Sequence, residues 1–206
     1  MTGARTDVCP VDATEVGRWD VEIDVVVVGG GCAGVSAAIE AATRGADTVL
    51  LERAGGIGGA SAASGGLIYL GGGTALQRAA GVDDTVEAMY AFMEAATGPG
   101  ADTAKLQRYC EDSAAHFDWL VSCGVPFKPS IYQGTFPEPE TDDGLIFSGG
   151  EDTQPWCEIA KPAPRGHVPQ MSGKQPSERS GGWMLMSTVQ ARAEKVLTQE
   201  LDRLEK

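Results

Sequence analysis

The stretch Asp24-Val25-Val26-Val27-Val28-Gly29-Gly30-Gly31-Cys32-Ala33-Gly34 decides the fold. Its β-branched run has no polar alternation, so the strand it predicts, from about Ile23 to Val28, should be central and covered on both faces of a parallel sheet. The run opens directly into a glycine turn. An Ala-rich segment to Thr43 follows, with Val35, Ala38, Ile39 and Ala42 at helical spacing and Gly45 as a stop. A second apolar run, Thr48-Val49-Leu50-Leu51, ends in Glu52. Strand, glycine turn, helix, strand and terminal acid make the pattern of a dinucleotide site.

Each residue type in that pattern has a physical job. Gly29 lets the chain leave the strand in a tight turn, Gly31 lets backbone approach a pyrophosphate, and Gly34 lets helix and strand pack closely. The phosphates would sit at a helix N-terminus, where unpaired N–H groups and the positive end of the dipole face them. Glu52 can accept hydrogen bonds from the ribose hydroxyls of an adenosine, and its charge disfavours the 2′-phosphate of NADP. Beyond Arg53 comes a second block, Gly55 to Gly66, composed almost entirely of Gly, Ala and Ser. Backbone amides and small hydroxyls there can lie flat against a large ring and its ribityl-pyrophosphate arm, so FAD is the expected dinucleotide. The expected contacts are Gly29, Gly31, Cys32, Ala33 and Gly34 at the pyrophosphate and Glu52, with Arg53 beside it, at the ribose. Gly59, Ala60, Ser61, Ser64, Gly65 and Gly66 would lie along the flavin and its phosphate arm.

Val28-Gly29-Gly30-Gly31-Cys32-Ala33-Gly34, Leu51-Glu52-Arg53 and Gly58-Gly59-Ala60-Ser61-Ala62-Ala63-Ser64-Gly65-Gly66 resemble the fumarate reductase/succinate dehydrogenase flavoprotein superfamily. Within it, Trp19-Asp20, Leu67-Ile68-Tyr69-Leu70-Gly71-Gly72-Gly73-Thr74, Pro164-Arg165-Gly166-His167 and Gly181-Gly182-Trp183 resemble the FAD-dependent 3-ketosteroid dehydrogenases, above all the 4-dehydrogenases of 3-oxo-5α-steroids. The resemblance implies an α/β fold, a Rossmann-like FAD-binding domain of the GR2 type. It also implies oxidation of a CH–CH bond beside a ketone, with a steroid or another enone or ketone as the small-molecule substrate. Some relatives hold FAD covalently through a histidine in the second glycine loop; this loop has none, so non-covalent FAD is expected.

The resemblance covers only the first part of a family member. Relatives continue into a third parallel strand, a cap domain and a late segment that completes the FAD site and carries the proton-transfer groups. The expected organisation is therefore a loose N-terminal arm over residues 1–20 and an apparently truncated FAD-binding domain over 21–206, lacking the cap and the C-terminal FAD segment. A complementing C-terminal chain becomes a candidate partner. Two other readings stand beside the dehydrogenase: a non-catalytic or split FAD-binding remnant, and a fumarate-reductase-like reductase of dicarboxylates. The reductase calls for several arginines at the substrate, of which Arg165 is the obvious candidate.

The bulk composition narrows the partners. The chain has 206 residues, 42% of them hydrophobic, and a formal charge of −13 from 16 basic and 29 acidic side chains. An acidic field without a basic stripe argues against nucleic acid and anionic membrane surfaces. Five cysteines, at 9, 32, 110, 123 and 157, show neither close pairing nor metal spacing, which suits a reducing compartment. Cys32, in the phosphate turn, reads as a small residue tolerated there. Met1 to Asp20 lacks a charged start followed by an apolar core, and no run is long enough to span a bilayer, so a cytoplasmic location is expected.

Further along, Tyr69 reads as a buried aromatic. Asp83-Asp84 reads as acids at the start of a helix whose inner face is Val86, Met89, Tyr90 and Met93. A second helix from about Thr103 to Ser122 should bury Leu106, Tyr109, Cys110, Ala114, Phe117 and Leu120, with His116 a structural or surface residue. Residues 126–180 lose periodicity and read as irregular substrate-side loops with Trp156 and Cys157 as a packed anchor. Within them, Arg165 and His167 are candidate catalytic or substrate-holding donors, against the alternative of loop scaffolding. Gly181-Gly182 opens a last helix with Leu185, Val189, Ala193, Val196, Leu197, Leu201 and Leu204 in one stripe. With two parallel strands assigned, that stripe is expected to be uncovered, and no third strand can be placed in 125–160.

Overall fold

The computed structural model describes residues 10–134, 141–171 and 180–204, with side chains described as far as residue 197. After a short 3-10 turn (Ala13–Glu15) come β1 (Val25–Val28), α1 (Cys32–Thr43), β2 (Thr48–Leu51), α2 (Gly59–Ala62) and β3 (Ile68–Tyr69). Then follow α3 (Ala75–Ala79), α4 (Val86–Thr97), α5 (Thr103–Ser122), β4 (Leu145–Ile146), α6 (Trp156–Ile159), β5 (Gly166–His167) and α7 (Gly181–Leu204). Residues 10–20 are almost wholly exposed, and the expectations for 1–9 lie outside the described residues.

β1 and β2 pair in parallel, Val25 opposite Thr48 through Val28 opposite Leu51, with α1 as the crossover. Val35, Ala38, Ile39 and Ala42 are the buried face of α1, as their spacing predicts. The chain stops the helix at Arg44 and turns through Gly45 at φ 84°. The expectation of a central strand covered on both faces is corrected. Val27 is buried, but Val26 and Val28 are 54% and 82% exposed, and Leu51 on β2 is 52% exposed. β1 and β2 form a two-stranded sheet among the described residues, so apolar continuity in β1 signals a face that nothing described covers.

A second sheet sits apart from the first. β5 is its middle strand, antiparallel to β3 (Ile68 opposite His167) and to β4 (Leu145 opposite His167). The region 126–180 thus supplies two short strands, too brief for alternation to be visible, and neither extends the parallel sheet. Residues 135–140 and 172–179 of that region lie outside the described set.

The core is helical. Val35, Ile39 and Ala42 of α1 meet Met186, Val189, Ala193 and Val196 of α7, with Phe117 and Leu120 of α5, Leu70 just after β3 and Leu145 of β4 closing the cluster. The expectation of an uncovered α7 stripe is therefore corrected, because α1 and α2 pack along it. Leu201 and Leu204 fall outside the described side chains. On α5, Leu106, Cys110, Phe117 and Leu120 are buried as expected, whereas Ala114 is half-buried, Tyr109 is exposed and Ser113 is buried. On α4 the buried pair is Met89 and Phe92. Phe92 meets Trp156 of α6 edge-on, with ring centroids 5.9 Å apart, which anchors the otherwise irregular segment.

Candidate functional site

The site begins where β1 ends. Gly29 donates to the Leu51 carbonyl at 2.8 Å, extending the parallel ladder by one residue, and then turns at φ 100°, a conformation that L side chains rarely adopt. A Cβ on Gly34 would stand 1.9 Å from the Gly29 carbonyl oxygen, so the helix can approach the turn only because residue 34 is glycine. α1 starts at Cys32 with Gly31 as its cap residue, which has no side chain to cap it. Cys32 and Ala33 are exposed at that end.

Glu52 closes the turn from below. Its Oε2 accepts from Gly30 N–H at 2.7 Å and its Oε1 from Ala54 N–H at 2.7 Å. These two backbone bonds, that from Ala54 first, hold its carboxyl below the usual range for glutamic acid. Each carboxylate oxygen keeps a second lone pair for another donor. Arg53 is exposed beside it.

The second glycine block is tied to the first and to α7. Ser61 Oγ accepts from Cys32 N–H at 3.2 Å, and Gly58 N–H donates to Gly30 O at 2.8 Å. Ser64 O accepts from Gly182 N–H at 3.1 Å and from Ser180 Oγ at 2.8 Å. A Cβ on Gly66 would fall 2.1 Å from the Gly181 carbonyl carbon. Gly66 is therefore buried against the start of α7, a backbone-to-backbone contact between two glycine pairs that their sequence separation conceals. Gly65 is half-buried in the same contact, whereas Gly59, Ala60 and Ser64 are exposed.

Between these parts lies a cleft of about 680 Å³. Cys32, Ala33, Ala60, Ser61 and Ser64 line one side of it with small side chains, and Trp119, Leu120, Leu185 and Val189 line it with larger, mostly apolar ones. This volume lies within the usual range for small-molecule sites, about 300–1,000 Å³. His116, expected to be structural or on the surface, borders the cleft. Its helical position opposite α1 shows only once α5 is docked. Gly31 stands between the start of α1 and the second block, where a Cβ would sit 3.6 Å from Ser61 Oγ. Small residues, rim hydroxyls and a helix start beside an acid suit FAD.

Arg165 and His167 are brought together, but not at this cleft. Both are fully buried on and beside β5, and neither lines it. Arg165 donates from Nη2 to Asp84 Oδ1 at 2.7 Å and from Nε to Asp84 Oδ2 at 3.1 Å. Burial works to lower the guanidinium pKa, and the Asp84 bonds and charge outweigh it, so the net shift is upward. Asp84 thus serves this pair and a bond from Gln77, instead of the helix dipole expected for it. His167 Nε2 and Thr74 Oγ1 are 2.8 Å apart, and Nδ1 lies 3.0 Å from Arg165 O. Burial pushes His167 down to about 4, opposed by its bond to the Arg165 carbonyl. These side chains fasten β5 to the start of α3 and to the residues just before α4, which sequence spacing could not show.

Tyr69 is half-buried rather than buried. Its ring stacks on Phe92 at 6.2 Å.

Comparison with known proteins bears on the cofactor. A family model described as FAD binding domain matches residues 24–195. The chain is 36% identical over 168 residues to a 3-oxo-5-alpha-steroid 4-dehydrogenase of Comamonas testosteroni, covering 78% of this chain and 31% of that relative. It is 34% identical over 140 residues to an acrylate reductase flavoprotein subunit of Shewanella woodyi, covering 67% of this chain and 28% of that relative. Among solved structures, 3-ketosteroid-delta4-(5alpha)-dehydrogenase from Rhodococcus jostii RHA1, in complex with 4-androstene-3,17-dione, superposes with a TM-score of 0.86 at 58% identity, covering 92% of this chain and 39% of that one. A flavocytochrome c3 fumarate reductase superposes with a TM-score of 0.63 at 27% identity, covering 84% and 25%. The chain thus spans about a third of the length of the steroid-dehydrogenase relatives it matches. The resemblance read from the glycine blocks is borne out. No helix among the described residues is long and apolar enough to cross a membrane.

Proposed function

Because this chain belongs to the FAD binding domain family, we propose that it is the FAD-holding part of a 3-ketosteroid dehydrogenase-like oxidoreductase. The observation that carries this is the 58% identity, over 92% of the chain, to the ketosteroid dehydrogenase of Rhodococcus jostii. In this reading the β1–α1–β2 unit is Rossmann-like, residues 1–20 are an arm, and 21–206 are an incomplete FAD-binding domain. The cap and the late FAD segment then come from outside residues 1–206, in a longer protein or a complementing chain. That is consistent with a match spanning 31% of the Comamonas relative.

When bound, FAD supplies the hydride-accepting flavin that lets a carbon–carbon double bond form beside a ketone. This chain's residues hold it without a covalent link. Gly31, Ala33 and Gly34 present backbone N–H groups and the α1 dipole to the pyrophosphate, while Gly29 and Cys32, whose N–H groups donate to Leu51 O and Ser61 Oγ, shape the turn around it. Glu52, kept anionic by Gly30 and Ala54, accepts from ribose hydroxyls with its remaining lone pairs. Gly59, Ala60, Ser61, Ser64, Gly65 and Gly66 leave room for the ring and offer small hydroxyls along the arm.

The dicarboxylate-reductase reading is disfavoured, because Arg165 already spends two of its nitrogens on Asp84 and does not reach the cleft. A chimaera decides between substrates: residues 1–206 replace the matching part of the Rhodococcus jostii enzyme. The expected protein is yellow, and a 3-oxo-5α-steroid bleaches it under anaerobic conditions while succinate does not. A yellow chimaera that no steroid bleaches would contradict the steroid reading, and a colourless one would contradict the FAD grip.

A further inference from the structure

His116 brings to the cleft an imidazole without a hydrogen-bond partner among the described residues. It stands exposed on α5 and lines the cleft together with Cys32, Ala33 and Ser36 from the first turns of α1. Its ring contact is Trp119, tilted at 54° with centroids 6.4 Å apart. Trp119 is itself fixed, donating from Nε1 to Glu40 Oε1 at 2.6 Å.

The charged groups around the imidazole are spent on one another. Glu40 of α1, which borders a hollow beside His116, takes the Trp119 indole and Arg44. Along α5, Asp112 pairs with Arg108 and Asp102 with Lys105. α7 contributes Leu185 and Val189, and the second glycine block Ser61 and Ser64. Cys32 is the one other ionisable group in the cleft lining.

Solvent reaches the His116 ring, yet the protein packed around it holds its pKa below the ordinary 6.5 by desolvation. Near neutral pH the protein without ligand therefore presents an uncharged imidazole with no carboxylate of its own. Such a ring gains a proton beside an anion, since an opposite charge within about 4–6 Å favours the charged form. A dinucleotide in the cleft brings that anion as its pyrophosphate.

We propose that His116 is a phosphate-binding residue of the cleft: when FAD binds, its imidazole takes up one proton from solvent and donates a hydrogen bond to the pyrophosphate from the side opposite α1. This role rests on the FAD reading above and adds a proton to it. α1 meets the anion with backbone N–H groups and a partial dipole charge, and α5 meets it with a full one.

The test measures FAD affinity against pH by flavin fluorescence titration and follows the His116 ring resonances in the same samples. Between the pKa without ligand and the higher one with it, binding takes up a proton. The dissociation constant should therefore fall about fivefold or more from about pH 8 to about pH 6. The His116 resonance should titrate at higher pH with FAD than without it, and His167, the other histidine of the chain, is the internal reference because it is buried away from the cleft. His116→Gln keeps a donor but cannot take up the proton. It should bind FAD at about pH 8 as the parent does and lose the dependence below that. Cys32→Ser should retain it. Equal pH dependence in His116→Gln, its disappearance in Cys32→Ser, or a His116 titration that bound FAD leaves unmoved would each overturn the proposal and leave the FAD reading standing. Protein that takes up no FAD at any pH would overturn both.

Discussion

Gly30 donates its backbone N–H to Glu52 Oε2 at 2.7 Å, so the glycine turn after β1 and the acid after β2 are one hydrogen-bonded unit. The acid shapes the turn before any nucleotide arrives. Glu52→Ala should therefore weaken FAD binding twice over, by removing the ribose acceptor and by releasing Gly30 and Ala54. The loss expected from charged hydrogen bonds is about tenfold or more in Kd, read by flavin fluorescence titration. An unchanged Kd would remove Glu52 from the site.

Gly31 and Gly34 separate folding from binding. A Cβ at Gly34 collides with the Gly29 carbonyl at 1.9 Å, whereas one at Gly31 meets Ser61 Oγ at an ordinary 3.6 Å. Gly34→Ala is expected to lower the melting temperature sharply. Gly31→Ala should leave melting of the protein without FAD nearly unchanged while weakening FAD binding, because only a bound pyrophosphate would feel the methyl group.

The Asp84–Arg165 pair is fully buried, and breaking it on one side leaves the other charge uncompensated. Arg165→Met and Asp84→Leu should each destabilise the chain by about 3–5 kcal/mol in denaturant unfolding. The double variant should cost less than the sum of the two, since it leaves neither charge buried alone. Strict additivity would argue against coupling.

His167 predicts a pH dependence. Its folded pKa is depressed to about 4, chiefly by burial, from an ordinary 6.5. Between those values the unfolded chain takes up a proton that the folded chain does not, so stability falls as pH drops from 6.5 toward 4 and is insensitive to this group above 6.5. The full effect is on the order of 3 kcal/mol. His167→Gln should flatten that slope in urea titrations across this window. A slope equal to the parent's would assign the dependence to other groups.

What the sequence made legible was local. The strand, glycine turn, helix and terminal acid from Val25 to Glu52 lie within one stretch, and each element could be read from spacing and residue type. Glu40 to Trp119, Thr74 to His167 and Asp84 to Arg165 are 79, 93 and 81 positions apart, and no periodicity links such partners. Arg165 and His167 looked like site residues because donors in a Pro- and Gly-rich stretch suggest a loop, while the short β5 that buries them carries no readable alternation. Val26 and Val28 show the converse limit: an apolar run announces that a face seeks cover, without saying whether the cover lies in the same stretch of chain.

The measurement closest to the central claim is the visible absorption spectrum of the purified chain after FAD is added and the mixture is passed through gel filtration. The account predicts flavin absorbance travelling with protein at the elution volume of a folded species, and its loss in Gly31→Ala. Protein that elutes folded but colourless, with all FAD in the small-molecule fraction, would contradict it.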